Sequence, residues 1–135
     1  MKISKLILLT STLIVTLLLT GCPHQAAVKN ISNSQIMTSS NASMDQIESA
    51  IRKAGAGLGW QMKSISPGQM LGILKLRSHV ATVDIIYNKQ SFDITYKDST
   101  NLNYENDDGE ATIHSNYNGW IQNLEQAIAA QTSAI

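Results

Sequence analysis

The chain of 135 residues has room for one domain and one hydrophobic core, and its ten basic residues balance its ten acidic ones. Hydrophobic residues make up 43% and charged residues 15%, ordinary for a globular protein, but the average mixes an apolar start with a polar remainder. Lys2 and Lys5 belong to that start, so the remainder carries a charge of about −2. Its nearest approach to a basic cluster is Arg52-Lys53, which excludes nucleic-acid binding driven by grouped cations. The single cysteine, Cys22, excludes an intramolecular disulfide and a cysteine-based zinc site.

The first 22 residues have the order of a secretory signal: Lys2 and Lys5, an uncharged apolar run from Leu6 to Leu19, then the small residues Thr20 and Gly21. As a helix that run spans about 21 Å, short of the roughly 30 Å needed to cross a bilayer. Leu19-Thr20-Gly21-Cys22 resembles the lipobox of bacterial lipoproteins. The resemblance implies cleavage between Gly21 and Cys22, a diacylglycerol on the Cys22 sulfur, an acyl chain on the new amino terminus, and no other cofactor. At roughly 0.8 kcal/mol per buried CH₂, two or three such chains hold a protein firmly on a membrane. Pro23 replaces the Asp that retains lipoproteins of this kind at the inner membrane, so the resemblance places the protein on the outer membrane, facing the periplasm.

Residues 22–42 are rich in Ser, Asn, Gln and Ala, with Val28, Ile31, Ile36 and Met37 at no regular period, and read as a flexible tether. A single domain, residues 43–135, is expected beyond it. Ser43 with Gln46 forms a capping box, and Met44, Ile47, Ala50, Ile51, Ala54 and Leu58 make the apolar stripe of a helix that Gly55, Gly57 and Gly59 end. Alternating runs follow: Trp60 to Ile65, Gln69 to Arg77, His79 to Tyr87 and Ser91 to Lys97. Pro67-Gly68 turns the first pair, and the set predicts an antiparallel meander of about four strands. Asp108-Gly109 is a turn that pairs Leu102 to Tyr104 with Ala111 to Ile113. A last helix, with Ser115 as its cap, carries Tyr117, Trp120, Ile121, Leu124, Ala127 and Ile128. The expected fold is α+β, the meander packed on one face by the N-terminal and C-terminal helices.

Chemistry is sparse. The loop Asn106 to Glu110 looks acidic enough for calcium, but with Gly109 at the sixth place of an EF-hand loop the first is Tyr104 and the twelfth Ser115, so the required Asp and Glu are missing. Glycines at 55, 57 and 59 follow a helix instead of preceding one and make no phosphate loop. No GxSxG elbow and no HxxxH or HxxE spacing is present, which leaves His79 and His114, from two elements, as the best catalytic or metal-ligating pair. Trp60, Trp120, Tyr87, Tyr96, Tyr104 and Tyr117 are core residues by spacing, with one or two free to line a groove.

The folded part also resembles a group of small bacterial lipoproteins of uncharacterised activity, through Leu76-Arg77-Ser78-His79-Val80-Ala81, Ser99-Thr100-Asn101-Leu102 and Ile113-His114-Ser115-Asn116-Tyr117-Asn118-Gly119-Trp120-Ile121. The resemblance implies no catalytic residue and singles out Arg77, His79, Asn101, His114, Tyr117, Asn118 and Trp120 as binding residues. The sequence favours a membrane-anchored binding or assembly module with an envelope protein as partner. A metal-dependent hydrolase using His79 and His114, and a carrier of a small apolar ligand beneath the last helix, are the alternatives.

Overall fold

The structure is a computed structural model that describes residues 24–38 and 41–135. The signal segment 1–21, its cleavage position at Gly21 and Cys22, and the lipidation site Cys22 lie outside the described residues.

Helix α1 (Met44–Gly57) begins where local chemistry dictates. The Ser43 hydroxyl accepts from the Gln46 amide at 3.2 Å, and the Gln46 side chain accepts from the Ser43 amide at 2.8 Å. Ile47, Ala50, Ile51 and Ala54 are buried, whereas Leu58, at the end of the expected stripe, is exposed at the helix cap. Gly55 does not end the helix. It lies within it, buried, where a Cβ would run into the Met62 side chain, so its smallness lets α1 approach the following strand. Gly59, at φ 87°, then turns the chain.

Strands β3 (Trp60–Ser66), β4 (Gln69–Leu76), β5 (His79–Tyr87) and β6 (Ser91–Thr100) are antiparallel neighbours in chain order. Their inward parity buries Met70, Leu74, Ala81, Val83, Ile85, Phe92 and Ile94. These join Ile47 and Ile51 of α1, and Ile121, Leu124 and Ile128 of α2 (Asn116–Ser133), in one core cluster. The chain is therefore α+β. The opposite face is mixed: Asp84 and Lys97 form an ion pair across it at 2.8 Å, and Ile86 is exposed there.

The sheet is wider than the expected meander. Strand β2 (Ile31–Gln35) adds to β6, giving the order β2-β6-β5-β4-β3, and a second sheet has the order β1-β8-β7, from Gln25–Ala27, Glu110–His114 and Glu105–Asp107. The tether reading of residues 22–42 is corrected here, because Ile31, Ile36 and Ala42 are buried and the fold has begun by Gln25. A bulge hid the strand. Between Ile31 and Ser34 the register shifts, with Asn33 at φ 54°, and the alternation that marks a strand is broken there.

Two local expectations also change. The turn Asp108-Gly109 joins Asp107 to Glu110, with both turn residues at positive φ, so β8 pairs with Glu105–Asp107 instead of Leu102 to Tyr104. Ser115 has helical angles and makes no side-chain cap. The first amide of α2, Asn116, donates to His114 Nδ1 at 3.2 Å instead.

Because Ile31 sits in the core, Ile31→Ala should lower unfolding stability by about 2 to 4 kcal/mol, read as a lower denaturant midpoint of the full chain. An unchanged midpoint would return residues 25–35 to a loose segment.

Candidate functional site

Two neighbourhoods gather the chemistry, and both depend on the small sheet. The first is a cleft of about 690 Å³, lined by Ala27, Val28 and Asn30, by the adjoining hairpin residues Gly109 to Thr112, and by Tyr96 and Tyr104. The two tyrosine rings stack at 4.3 Å between centroids and 10° between planes. Behind them Tyr117 presents its edge to Tyr96 at 5.7 Å.

The rim at residues 27–30 is held by side chains acting as backbone. Asn118 Nδ2 donates to Ala27 O at 2.8 Å, while Asn118 Oδ1 accepts from the Lys29 amide at 2.9 Å. Asn30 Oδ1 accepts from the Tyr96 amide at 2.8 Å, and the Val28 amide donates to Ala111 O at 2.9 Å. These four bonds tie the segment to α2, β6 and β8 and help to set the shape of the cleft.

Tyr117 itself is fully buried, and its hydroxyl has no hydrogen-bond partner among the described residues. Burial, and then the neighbouring Tyr96, push its phenol well above the usual range. Tyr96 is raised too, chiefly by burial, against the hydrogen bond its hydroxyl shares with Ser99.

The second neighbourhood is a histidine cluster. His114 ends β8, His79 opens β5 and His24 precedes β1. These are the three histidines of the chain, and their rings lie 5.8 Å (His24 to His114) and 6.4 Å (His79 to His114) apart. His79 Nδ1 is 2.7 Å from Asn101 O; a carbonyl only accepts, so Nδ1 carries a proton and, in the neutral ring, Nε2 keeps its lone pair. His114 has the opposite tautomer when neutral, because its Nδ1 accepts from Asn116. Asn101, in the left-handed region at φ 56°, also donates to Ser78 Oγ at 2.8 Å, which fixes the β4–β5 turn against the end of β6.

The binding residues expected from the sequence therefore separate. His79, His114 and Asn101 meet. Arg77 sits beside them, in the turn at φ 56° instead of on the strand with His79. Asn118 and Tyr117 serve the cleft, one bracing its rim and the other backing its aromatic floor. Trp120 belongs to neither and borders a small space of about 60 Å³ with Leu58, Trp60, Leu74 and Asn123. Sequence reasoning missed Ala27, Val28 and Asn30, whose only signal was a partner strand hidden by the bulge, and it placed His24 in the tether.

A third polar group is structural. Glu48 accepts from Ser64, from Tyr87 at 3.0 Å and from Arg52 at 2.8 Å, which ties α1 to the edge strand β3. The Ser64 and Tyr87 hydrogen bonds, more than the Arg52 charge, hold its carboxyl below the usual range. Burial and Glu48 push Tyr87 up to about 12. A tyrosine so raised is no base near neutrality.

No protein-family model, curated protein or solved structure matches the chain. Among the described residues no helix is long and apolar enough to cross a membrane.

Since the Tyr117 hydroxyl is buried without a partner, Tyr117→Phe should leave unfolding stability unchanged or raise it by up to about 1 kcal/mol. A loss of that size in chemical denaturation would mean that the hydroxyl is bonded in solution.

Proposed function

We propose that the protein is a lipid-anchored envelope binding module, cleaved before Cys22, held on the outer membrane by lipid on that residue, and presenting the cleft between its two sheets to a protein partner. The basic start, the apolar run and Leu19-Thr20-Gly21-Cys22 support the anchor. The scaffold beneath the site is read as a four-strand meander with both helices on one face, extended by β2. The observation that carries the binding half is the cleft itself: a stacked tyrosine pair, with Tyr104 37% exposed, beside a rim at residues 27–30 that hydrogen bonds hold in place. An aromatic surface that needs no ordering loses little entropy on contact, and tyrosine anchors interfaces well. Lipid at Cys22 raises the effective concentration of any partner on the same membrane.

Cross-linking in intact cells of the tagged full-length protein, beside Cys22→Ala and Tyr104→Ala, tests both halves. A recurrent partner that is present with wild type and lost with each variant is the expected outcome. A partner retained by Tyr104→Ala, a substitution at a partly exposed ring, rejects the cleft. Wild type outside the membrane fraction rejects the anchor.

The convergence of the three histidines favours a second reading, metal-dependent chemistry at His24, His79 and His114. His79 has the arrangement of a ligand, with Nδ1–H bound to a backbone carbonyl and the Nε2 lone pair available. Among the described residues no three His, Cys, Asp or Glu side chains stand ready around one point, so the rings must turn to close on an ion. On this reading zinc titration of the full chain in detergent gives one site, lost with His79→Ala. Equal heats for wild type and variant remove the reading.

A further inference from the structure

The anchor proposed above implies, with the fold, which end of the domain meets the membrane. Two peptide units separate Cys22 from His24, and consecutive Cα atoms are 3.8 Å apart, so the covalent chain between them reaches about 8 Å at most. By Gln25 the chain is already paired to β8, opposite His114. Nothing in that span can act as the long tether that the composition of residues 22–42 implied. Lipid on Cys22 would therefore hold the His24 end of the domain within the headgroup layer.

That end has the surface for it. The β4–β5 turn lies there, because Leu76 pairs with His79 and the His79 ring is 6.4 Å from that of His114. Leu76 is 48% exposed although its strand parity is that of the buried Leu74 and Met70. Arg77, next in the turn, brings a guanidinium with a fork geometry suited to phosphate oxygens. His114, whose Nδ1 accepts from Asn116, carries its ring proton on Nε2 when neutral and so keeps a donor. An exposed aliphatic side chain beside cationic and donor groups is the composition of a surface that sits in a lipid interface.

We infer that the end of the domain formed by Leu76, Arg77, His24, His79 and His114 is a membrane-docking face, seated on the phospholipid headgroups by the short span to Cys22. The inference rests on lipidation of Cys22, and its occupant is the lipid of the anchoring leaflet. A seated domain has a fixed orientation: β5 runs away from the surface for seven residues between His79 and Ile86, about 23 Å at the rise of a strand.

Cys22 is the only cysteine, and lipid would consume its thiol, so one added cysteine takes a fluorophore at a chosen place. Full-length Leu76→Cys and Ile86→Cys, with parent residues 48% and 46% exposed, are each made in a lipidating bacterial host and labelled. Mass spectrometry of the N-terminal peptide is read first. The proteins are then placed in vesicles of phosphatidylethanolamine and phosphatidylglycerol that contain a headgroup-nitroxide quencher. Diacylglyceryl-Cys22 with several-fold stronger quenching at position 76 than at 86 supports the docking face. Lipid present, with equal quenching or stronger quenching at 86, overturns the face and leaves the anchor standing. An N-terminal peptide without lipid overturns the anchor, and the docking face with it.

Discussion

Three residues, Val28 to Asn30, carry the chain from one sheet to the other, and the rest of the architecture depends on how that crossing is held. Strand β1 ends at Ala27, paired with Thr112, and β2 begins at Ile31, paired with Ile94. The crossing is too short to form regular structure, and neighbouring elements meet its polar groups instead. Asn118, Asn30 and Ala111 supply the bonds. With the crossing fixed, the small sheet stands at a set distance from β6, and the cleft with its tyrosine floor is the space between them. At the other end of β1, pairing of Gln25 with His114 sets His24 beside His114. Cleft and histidine cluster thus lie at the two ends of β1.

Core packing explains why so short a connection is stable. Ile31 on β2, Ile94 opposite it and Phe92 beside them lie in the same cluster as the α2 residues Ile121, Leu124 and Ile128. Several buried aliphatic side chains, at roughly 1.5 to 3 kcal/mol each, outweigh the cost of ordering a few polar residues of backbone at about 1 to 2 kcal/mol each. On the other side of the domain the Glu48 network adds polar contacts that link α1 to an edge strand whose outer residues are exposed. The domain is closed by hydrophobic contact along β2 and α2 and by hydrogen bonds along β3.

The parts of this fold legible from sequence are those where one periodicity runs unbroken. The α1 stripe, the capping box at Ser43 and Gln46, and the alternation through β4, β5 and β6 are of that kind. What escaped has a physical reason in each case. Asn33 in the left-handed region breaks the alternation of β2, and three residues of β1 are too few to show any period. Gly55 looked like a helix end because a glycine used for close packing and a glycine used to terminate are the same letter. At His114 and Asn116 an imidazole took the capping role expected of Ser115, and spacing rules hold no signal for that. The site was legible only in part: spacing left open whether His79 and His114 meet, and their rings lie 6.4 Å apart, while His24 and the rim of the cleft lay in a stretch whose composition resembles a linker.

That misreading bears on function, because a linker and a strand make opposite demands on a lipid anchor. A flexible segment of nineteen or so residues would let the domain sample a volume about 25 Å in radius, and partners would be met in any orientation. With strand pairing from Gln25 onward a lipid-held domain would have no such slack, and seating of the docking face proposed above would fix the heights of its other faces. Strand β8 runs antiparallel to β1, so the hairpin tip at Asp108-Gly109 is the part of the small sheet farthest from His24. Five or six residues at the rise of a strand put the tip roughly 20 Å from that end, with the cleft opening along the intervening distance. On a domain seated in that way the cleft would lie between the headgroups and the hairpin tip. A partner that uses it would then have to lie flat on the same membrane or present a segment close to its own anchor. Orientation then does the selecting that a long tether would leave to affinity alone.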